Sequence, residues 1–177
     1  MLSKPSIHAI SITYATPADA EDIARIHHTA WQESYKGIVD QSYLDTLRYD
    51  DFLARRRRIL NSPQTDSIHL VAKCPQSVGF CDAGISRTLG YKGEIYAIYI
   101  ANDYKQLGIG MMLMRKASEY FVQNDLFPFI IWVLADNTPA RGFYEKLGGV
   151  AVQEKIEKIG DKNYREIAYG FYKPIFG

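Results

Sequence analysis

Residues 93–124 read GEIYAIYIANDYKQLGIGMMLMRKASEYFVQN, and this stretch decides the fold of the chain. Positions 95–100 are apolar, aromatic or β-branched without a polar alternate, which is typical of a strand buried on both faces of a sheet. From Ile109 onward the apolar residues recur at helical spacing instead. The stretch therefore predicts a central strand, a polar turn that contains glycine, and a helix.

The turn between this strand and this helix has the properties of an anion site. The first N–H groups of a helix have no intrahelical partner, and the helix dipole adds partial positive charge there. Gly108 and Gly110 carry no Cβ that would keep a phosphate away, and Lys105 adds a formal charge. A phosphate or pyrophosphate would fit here. Glycines also begin helices for packing reasons, so from the residues alone both explanations stay open.

Two other phosphate motifs do not match this turn. A P-loop requires Lys and then Ser or Thr after its last glycine, where this chain has Met111 and Met112. A dinucleotide G-x-G-x-x-G fingerprint that starts at Gly108 requires a glycine where this chain has Leu113. Neither nucleotide-binding class is indicated.

Length and composition favour one domain with a small partner. The chain has 177 residues, so we expect a single domain over 1–177 with its core at about 11–173. Lys and Arg number 21 against 20 Asp and Glu, which gives no broad attraction to nucleic acid or to a membrane. The start lacks the apolar segment of a signal peptide, and no apolar run reaches membrane-spanning length. We expect a soluble cytoplasmic protein.

Neither a metal site nor a nucleic-acid site is predicted. Cys74, Cys81 and four scattered histidines do not have the spacing of zinc ligands. The arginine run at residues 55–58 lies close to Asp45 and Asp50, and four neighbouring helix positions spread around most of the circumference. We interpret this run as a solvated helix face.

The flanking segments complete a mixed α/β pattern. Two strands at 67–73 and 78–87 form an antiparallel meander into the central strand. The apolar segment FIIWVLA, residues 129–135, is predicted to return parallel to the central strand after the helical crossover. The other predicted elements are a strand at Ser11–Tyr14, a helix from Pro17, helical segments after Gln41, a helix capped by Thr138, and a closing hairpin at 150–158 and 164–172.

Two separated stretches, YIANDYKQLGIGMMLM and VLADNTPARGFYEKLGG, resemble the GNAT superfamily of acetyl-CoA-dependent N-acetyltransferases. The resemblance covers nearly the whole chain. It implies a mixed, mainly antiparallel sheet of six or seven strands, with helices on both faces and a splayed central parallel strand pair. It also implies that acetyl-CoA is the co-substrate and lies between the two splayed strands.

The resemblance assigns roles residue by residue. The family's R/Q-x-x-G-x-G/A loop, whose backbone amides hold the CoA pyrophosphate, falls on Lys105, Gln106, Leu107, Gly108, Ile109 and Gly110 and leads into Met111. Lys105 departs from the usual Arg or Gln. The pantetheine arm is expected beside Asn137 and against the backbone of Ile98, Tyr99 and Ile100. Tyr144 matches the family tyrosine that protonates the departing thiolate.

Acetyl transfer from a thioester needs a neutral amine, a polarised carbonyl and a proton for the sulfur. It needs no covalent enzyme intermediate if both substrates bind together. Tyr144 would supply the proton, although from spacing alone it is an ordinary residue on the apolar side of its helix. Glu94 stands where histone-type members of the family place a base, and a relayed water is the open alternative. The expected activity is direct transfer to a primary amine of a small molecule or peptide.

The acceptor itself is not identified by the sequence. By the resemblance, segments 31–49 and 156–164 form the acceptor walls, with Trp31 and Tyr35 as candidate acceptor-binding residues. Acids in the first segment favour a small cationic amine, and a peptide stays open. A non-catalytic acyl-CoA-binding sensor or structural module is the alternative function, and an exposed strand of the closing hairpin would allow a homodimer.

Overall fold

A computed structural model of the protein describes residues 10–62 and 66–175. Its strands are β1 (Ser11–Tyr14), β2 (Ser67–Cys74), β3 (Gln76–Ile85), β4 (Gly93–Ile100), β5 (Phe129–Leu134), β6 (Val150–Ile159) and β7 (Lys162–Phe171). Its helices are α1 (Ala20–Ser34), α2 (Gln41–Leu44), α3 (Tyr49–Asn61), α4 (Ile109–Gln123) and α5 (Thr138–Lys146), with short 3-10 turns at Pro17–Asp19 and Asn102–Tyr104.

The described strands form one seven-stranded sheet in the order β1-β2-β3-β4-β5-β7-β6. Every neighbouring pair is antiparallel except β4 and β5, which are parallel. The parallel pair follows from the crossover through α4, since a helix between two strands returns the chain to the same end of the sheet. The predicted sheet type and its central parallel pair are confirmed.

Helices cover both faces of the sheet, as predicted. Successive side chains of a strand point to opposite faces. Leu70 of β2 therefore lies in one core cluster with Leu113 of α4, whereas the next residue, Val71, packs with Ile23 of α1. The largest core lies under α4 and α5, and a smaller one lies under α1.

A bulge at Tyr96 separates the central pair of strands. Asp82 of β3 faces Ala97, and the next residue of β3 faces Ile95, so Tyr96 is an extra residue on β4. The pairing of β4 with β5 extends only from Gly93 to Ile95. Beyond this point the two strands have no ladder between them, and this is the splay that the resemblance implies.

The prediction of a solvated face for residues 55–58 is wrong at Arg56. This side chain is buried, and its guanidinium donates two hydrogen bonds of 2.8 Å to the Asp82 carboxylate. His69 Nδ1 lies 2.7 Å from the same carboxylate. Burial alone would raise the pKa of Asp82, but His69 and Arg56 lower it to about 2. The partner lies on a distant strand, so the local arginine pattern could not indicate this pair.

In the part of the chain that the structure describes, no helix is both long enough and apolar enough to cross a membrane.

Candidate active site

A cavity of about 730 Å³ opens where β4 and β5 separate. Both faces of β4 contribute to its wall: Ile98 belongs to the core under α4, whereas Tyr99 packs on the α1 side. The cavity therefore passes through the sheet, from the side of α4 to the side of α1. Residues of β5, α5, the end of α1 and the loop before α4 complete the lining.

The loop before α4 presents a row of free backbone N–H groups. Those of residues 106–111 donate no hydrogen bond to any described residue. The first amide of this helix with a carbonyl partner is that of Met112, which donates to the oxygen of Gly108 at 3.1 Å. Free donors at the start of a 15-residue helix form an anion site.

Backbone conformation and close packing both account for the residues in this loop. Gly108 caps α4 with a φ of 79°, a left-handed conformation that glycine adopts without strain. Gln106 also has a positive φ, of 64°, which costs a non-glycine residue about 1–3 kcal/mol. A Cβ on Gly110 would lie 3.1 Å from the ring of Phe143. Gly110 therefore lets α4 approach α5 closely.

Most of the predicted cofactor residues meet at this cavity. Ile98, Tyr99 and Ile100 line it on the stretch of β4 that has no partner on the β5 side. Lys105 and Gln106 line it beside the free amides. Leu107, Gly108, Ile109, Gly110 and Met111 are not in its wall, and they are candidates through their backbone N–H groups alone.

Asn137 lines the cavity and also caps α5. Its Oδ1 accepts a hydrogen bond of 3.3 Å from the backbone N–H of Ala140. The prediction that Thr138 is the cap is wrong, because Thr138 is already the first residue of the helix. Asn and Thr are both good caps, and the sequence has them side by side. The Nδ2 amide of Asn137 is left to donate to a ligand.

Tyr144 is buried in the cavity wall, with 6% of its surface exposed. Its hydroxyl has no hydrogen-bond partner among the described residues. Burial raises its pKa, and the neighbouring Tyr35 and Cys81 add to the rise. The hydroxyl therefore stays protonated at neutral pH and can act as a proton donor.

Tyr35 and Tyr99 form a hydroxyl pair in the wall on the α1 side. Their oxygens are 3.1 Å apart, and burial raises the pKa of both. Trp31 does not line the cavity, but its ring packs 4.7 Å from that of Tyr35. Its indole N–H donates to His27 Nε2 at 3.3 Å. The structure thus brings Tyr35 to the cavity and leaves Trp31 behind it.

Glu94 is buried and lies outside the cavity wall. Its carboxylate accepts four hydrogen bonds, two from Arg87 and one each from the hydroxyls of Ser86 and Thr88. Thr88 Oγ1 in turn accepts a hydrogen bond of 2.9 Å from Trp132 Nε1. Glu94 thereby fixes a loop against Trp132, which does line the cavity. Its assignment as the base stays a prediction.

Trp132 and Lys146 are among the wall residues that the sequence reasoning missed. Trp132 lies at the position of β5 that alternates with core residues, so strand periodicity could have identified it. Lys146 follows Tyr144 by two positions in F-Y-E-K and makes no ion pair with a described residue. Its free ammonium gives the cavity a second positive charge besides Lys105. Elsewhere, no three potential metal ligands among the described residues come together.

Free amides, a splayed strand edge and a buried tyrosine hydroxyl are the features that the resemblance to N-acetyltransferases implies, and the comparisons with known proteins show the same class. The chain belongs to the acetyltransferase (GNAT) family, whose sequence profile matches residues 20–149. It is 28% identical over 165 residues to an uncharacterized N-acetyltransferase, YuaI, from Bacillus subtilis, and the match covers 92% of each chain. The predicted family and enzyme class are confirmed.

Solved structures share the fold. The putative acetyltransferase yncA from Salmonella typhimurium, crystallised with acetyl-CoA, has a TM-score of 0.68 at 17% identity, over 92% of this chain and 93% of that one. NAA60 from Arabidopsis thaliana, in complex with a bisubstrate analogue, has a TM-score of 0.67 at 15% identity, over 92% and 97%. At these identities the likeness shows the fold alone.

Proposed function

We propose that this protein transfers the acetyl group of acetyl-CoA to a primary amine of a small molecule or peptide, with both substrates bound together. The observation that carries the proposal is the cavity through the sheet, which joins the free amides near Gln106 to the buried hydroxyl of Tyr144. A cavity open to both faces lets two substrates approach one another from opposite sides. Direct transfer needs the two substrates held beside one another in one site.

The lining fits the chemical groups of acetyl-CoA in sequence. The N–H groups of residues 106–111, with Lys105 and Lys146, would hold the phosphates. The free edge of β4 at 98–100 and the Nδ2 of Asn137 would bond to the amides of the pantetheine arm. When bound, acetyl-CoA supplies the acetyl group as a thioester. Tyr144 would be the wall residue that supplies a proton to the sulfur.

Transfer forms a C–N bond between the acceptor amine and the acetyl carbon and breaks the C–S bond. Tyr144 donates its proton to the departing thiolate, and its place in the cavity wall and its unpartnered hydroxyl support this role. For the amine proton we favour the relayed water over Glu94, because the Glu94 carboxylate is already engaged by four donors. Tyr35 and Tyr99 offer hydroxyls in the wall that can hold such a water.

Calorimetric titration with acetyl-CoA tests the proposal, using free CoA and adenosine as comparators. Binding is expected for the wild type and is expected to be lost in Gly108→Glu, whose carboxylate would repel the phosphates. Gly90→Glu is the matched control, since Gly90 has a φ of 89°, close to the 79° of Gly108, and lies in an exposed loop away from α4. Equal binding by both variants contradicts the site.

Turnover is measured by thiol release with a panel of primary amines. Release that depends on both substrates supports transfer. Tight binding of acetyl-CoA without release for any amine contradicts transfer and favours the alternative, a non-catalytic acyl-CoA-binding module. If acetyl-CoA does not bind, both the transfer activity and the non-catalytic binding function are contradicted.

A further inference from the structure

Trp132 carries a lysine ammonium from this same chain on its ring. Lys155 Nζ lies 4.6 Å from the centroid of the Trp132 ring, at the distance of a cation–π contact. The same nitrogen is 3.1 Å from a carboxylate oxygen of Glu157 and 3.2 Å from one of Glu166. An aromatic face and two carboxylates thus surround one ammonium group.

Trp132 places this cluster on the α1 side of the sheet. Its neighbours Ile131 and Val133 belong to the core under α4, so the Trp132 side chain points to the opposite face. Leu134, two positions on, packs there with Val39 from the segment after α1. Trp132 also lines the cavity, so the cluster adjoins the end of the cavity opposite α4.

The strand register brings the charged groups to the same face. Glu166 of β7 lies opposite Leu134 of β5, and Lys155 of β6 lies opposite Glu166. Tyr35 is in the same neighbourhood, because the charge of Glu166 adds to the effect of burial in raising its pKa. The cluster therefore lies between the edge of the sheet and the wall that contains Tyr35.

The ammonium of Lys155 is the counter-charge of the Glu166 carboxylate, which would be unfavourable without a partner. The side chain of Glu166 is only 17% exposed, whereas that of Lys155 is 42% exposed. Burial raises the pKa of Glu166, and the charge of Lys155 opposes this rise. Because β6 is the edge strand, Lys155 can turn outward into solvent. Glu166 then lacks its counter-charge, and a ligand cation can take the place of Lys155 beside it.

We propose that Trp132, Glu157 and Glu166 form a binding site for the second ammonium group of a diamine acceptor, and that Lys155 is a tethered occupant that competes for it. This role rests on the proposed function, because the first amine of the acceptor would react in the cavity that Trp132 lines. A monoamine whose single amine occupies the reacting position leaves this site empty. The acceptor class is accordingly a small molecule with two cationic amines.

The test is a calorimetric titration of 1,4-diaminobutane, with n-butylamine as the monoamine comparator, into protein saturated with free CoA. Lys155→Ala is expected to lower the dissociation constant for the diamine by about tenfold, because the diamine then no longer has to displace a tethered ammonium whose attachment raises its effective concentration at the site. Lys158→Ala, an exposed lysine on the same strand, is the matched control for charge removal and leaves the constant unchanged. Neither variant changes the affinity for n-butylamine.

Two further variants make the result decisive. Lys155→Gln keeps the length of the side chain and is expected to shift the diamine constant in the same direction. Adding Glu166→Gln to Lys155→Ala is expected to abolish the gain. The inference is overturned if the diamine binds no variant, if Lys155→Ala and wild type bind it equally, or if both amines gain alike. Repeating the diamine titration without CoA tests this site independently of the cofactor. A failure of the proposed function is reported separately, by the acetyl-CoA titration.

Discussion

Replacing Arg56 with methionine is expected to lower the free energy of unfolding by about 3–5 kcal/mol at pH 7, because the Asp82 carboxylate stays buried without its counter-charge. The two side chains are 4% and 10% exposed, so solvent screens the pair little. Methionine keeps much of the packing against Phe80, whose ring centroid lies 4.7 Å from the guanidinium carbon. The loss is therefore electrostatic rather than a cavity effect.

The pH dependence of this loss has a definite sign. Burial would raise the pKa of Asp82, but His69 and Arg56 lower it from 3.8 to about 2. A carboxyl with a lowered pKa contributes stability above its unfolded pKa, and the contribution is lost as the pH falls through the folded pKa. The free energy of unfolding of the wild type is expected to fall by about 2 kcal/mol from this carboxyl between about pH 4 and pH 2.

Urea unfolding followed by circular dichroism measures both effects. Arg58→Met, at an exposed position of the same helix, is the control and is expected to change stability by less than about 0.5 kcal/mol. The double variant Arg56→Met with Asp82→Asn removes the unpaired charge, and it is expected to be more stable than Arg56→Met alone. A loss below about 1 kcal/mol in the single variant, or a double variant that is less stable still, refutes the reasoning.

Three other substitutions test the roles of Tyr144, Glu94 and His27. Tyr144→Phe is expected to lower kcat about 10²–10⁴-fold with unchanged affinity for acetyl-CoA, and unaltered turnover would remove the proton-donor role. Glu94→Gln is expected to cost about 1–3 kcal/mol of stability through its loop hydrogen bonds while leaving the pH profile of kcat/KM in place; loss of the acidic limb would instead identify Glu94 as the base. Burial, with the charge of Arg56, lowers the pKa of His27 to about 3, so folding loses stability as the pH falls below about 6.5. His27→Phe should therefore gain stability relative to wild type between pH 7 and 4.5 in urea unfolding, and a constant difference would contradict this.

The features that the sequence predicts well are those with a local physical cause. The change of hydrophobic period within residues 93–124 predicts β4, the turn and α4 with little ambiguity. The unbroken apolar run of β5, placed after a helix, predicts its parallel pairing with β4. The glycines of the turn predict free amides, which the structure shows at residues 106–111.

What the sequence does not predict depends on partners far along the chain. Arg56 is indistinguishable from its exposed neighbours until Asp82 is placed against it. Glu94 reads as an acid at a strand start, and only the return of the 86–88 loop shows that its carboxylate is engaged. Lys155 alternates with other charges in β6, and only the register with β7 and β5 brings it to Trp132.

The ladder between β4 and β5, confined to Gly93, Glu94 and Ile95 with Phe129, Ile130 and Ile131, makes this junction the narrowest seam in the sheet. The junction divides the sheet into two parts, β1 to β4 and β5 to β7. Past Ile95, no hydrogen bonds between strands join the two parts. A ligand whose amides bond to the exposed edge of β4 acts as a substitute strand. Binding of acetyl-CoA would therefore add hydrogen bonds that hold the two parts of the sheet together, and product release would remove them.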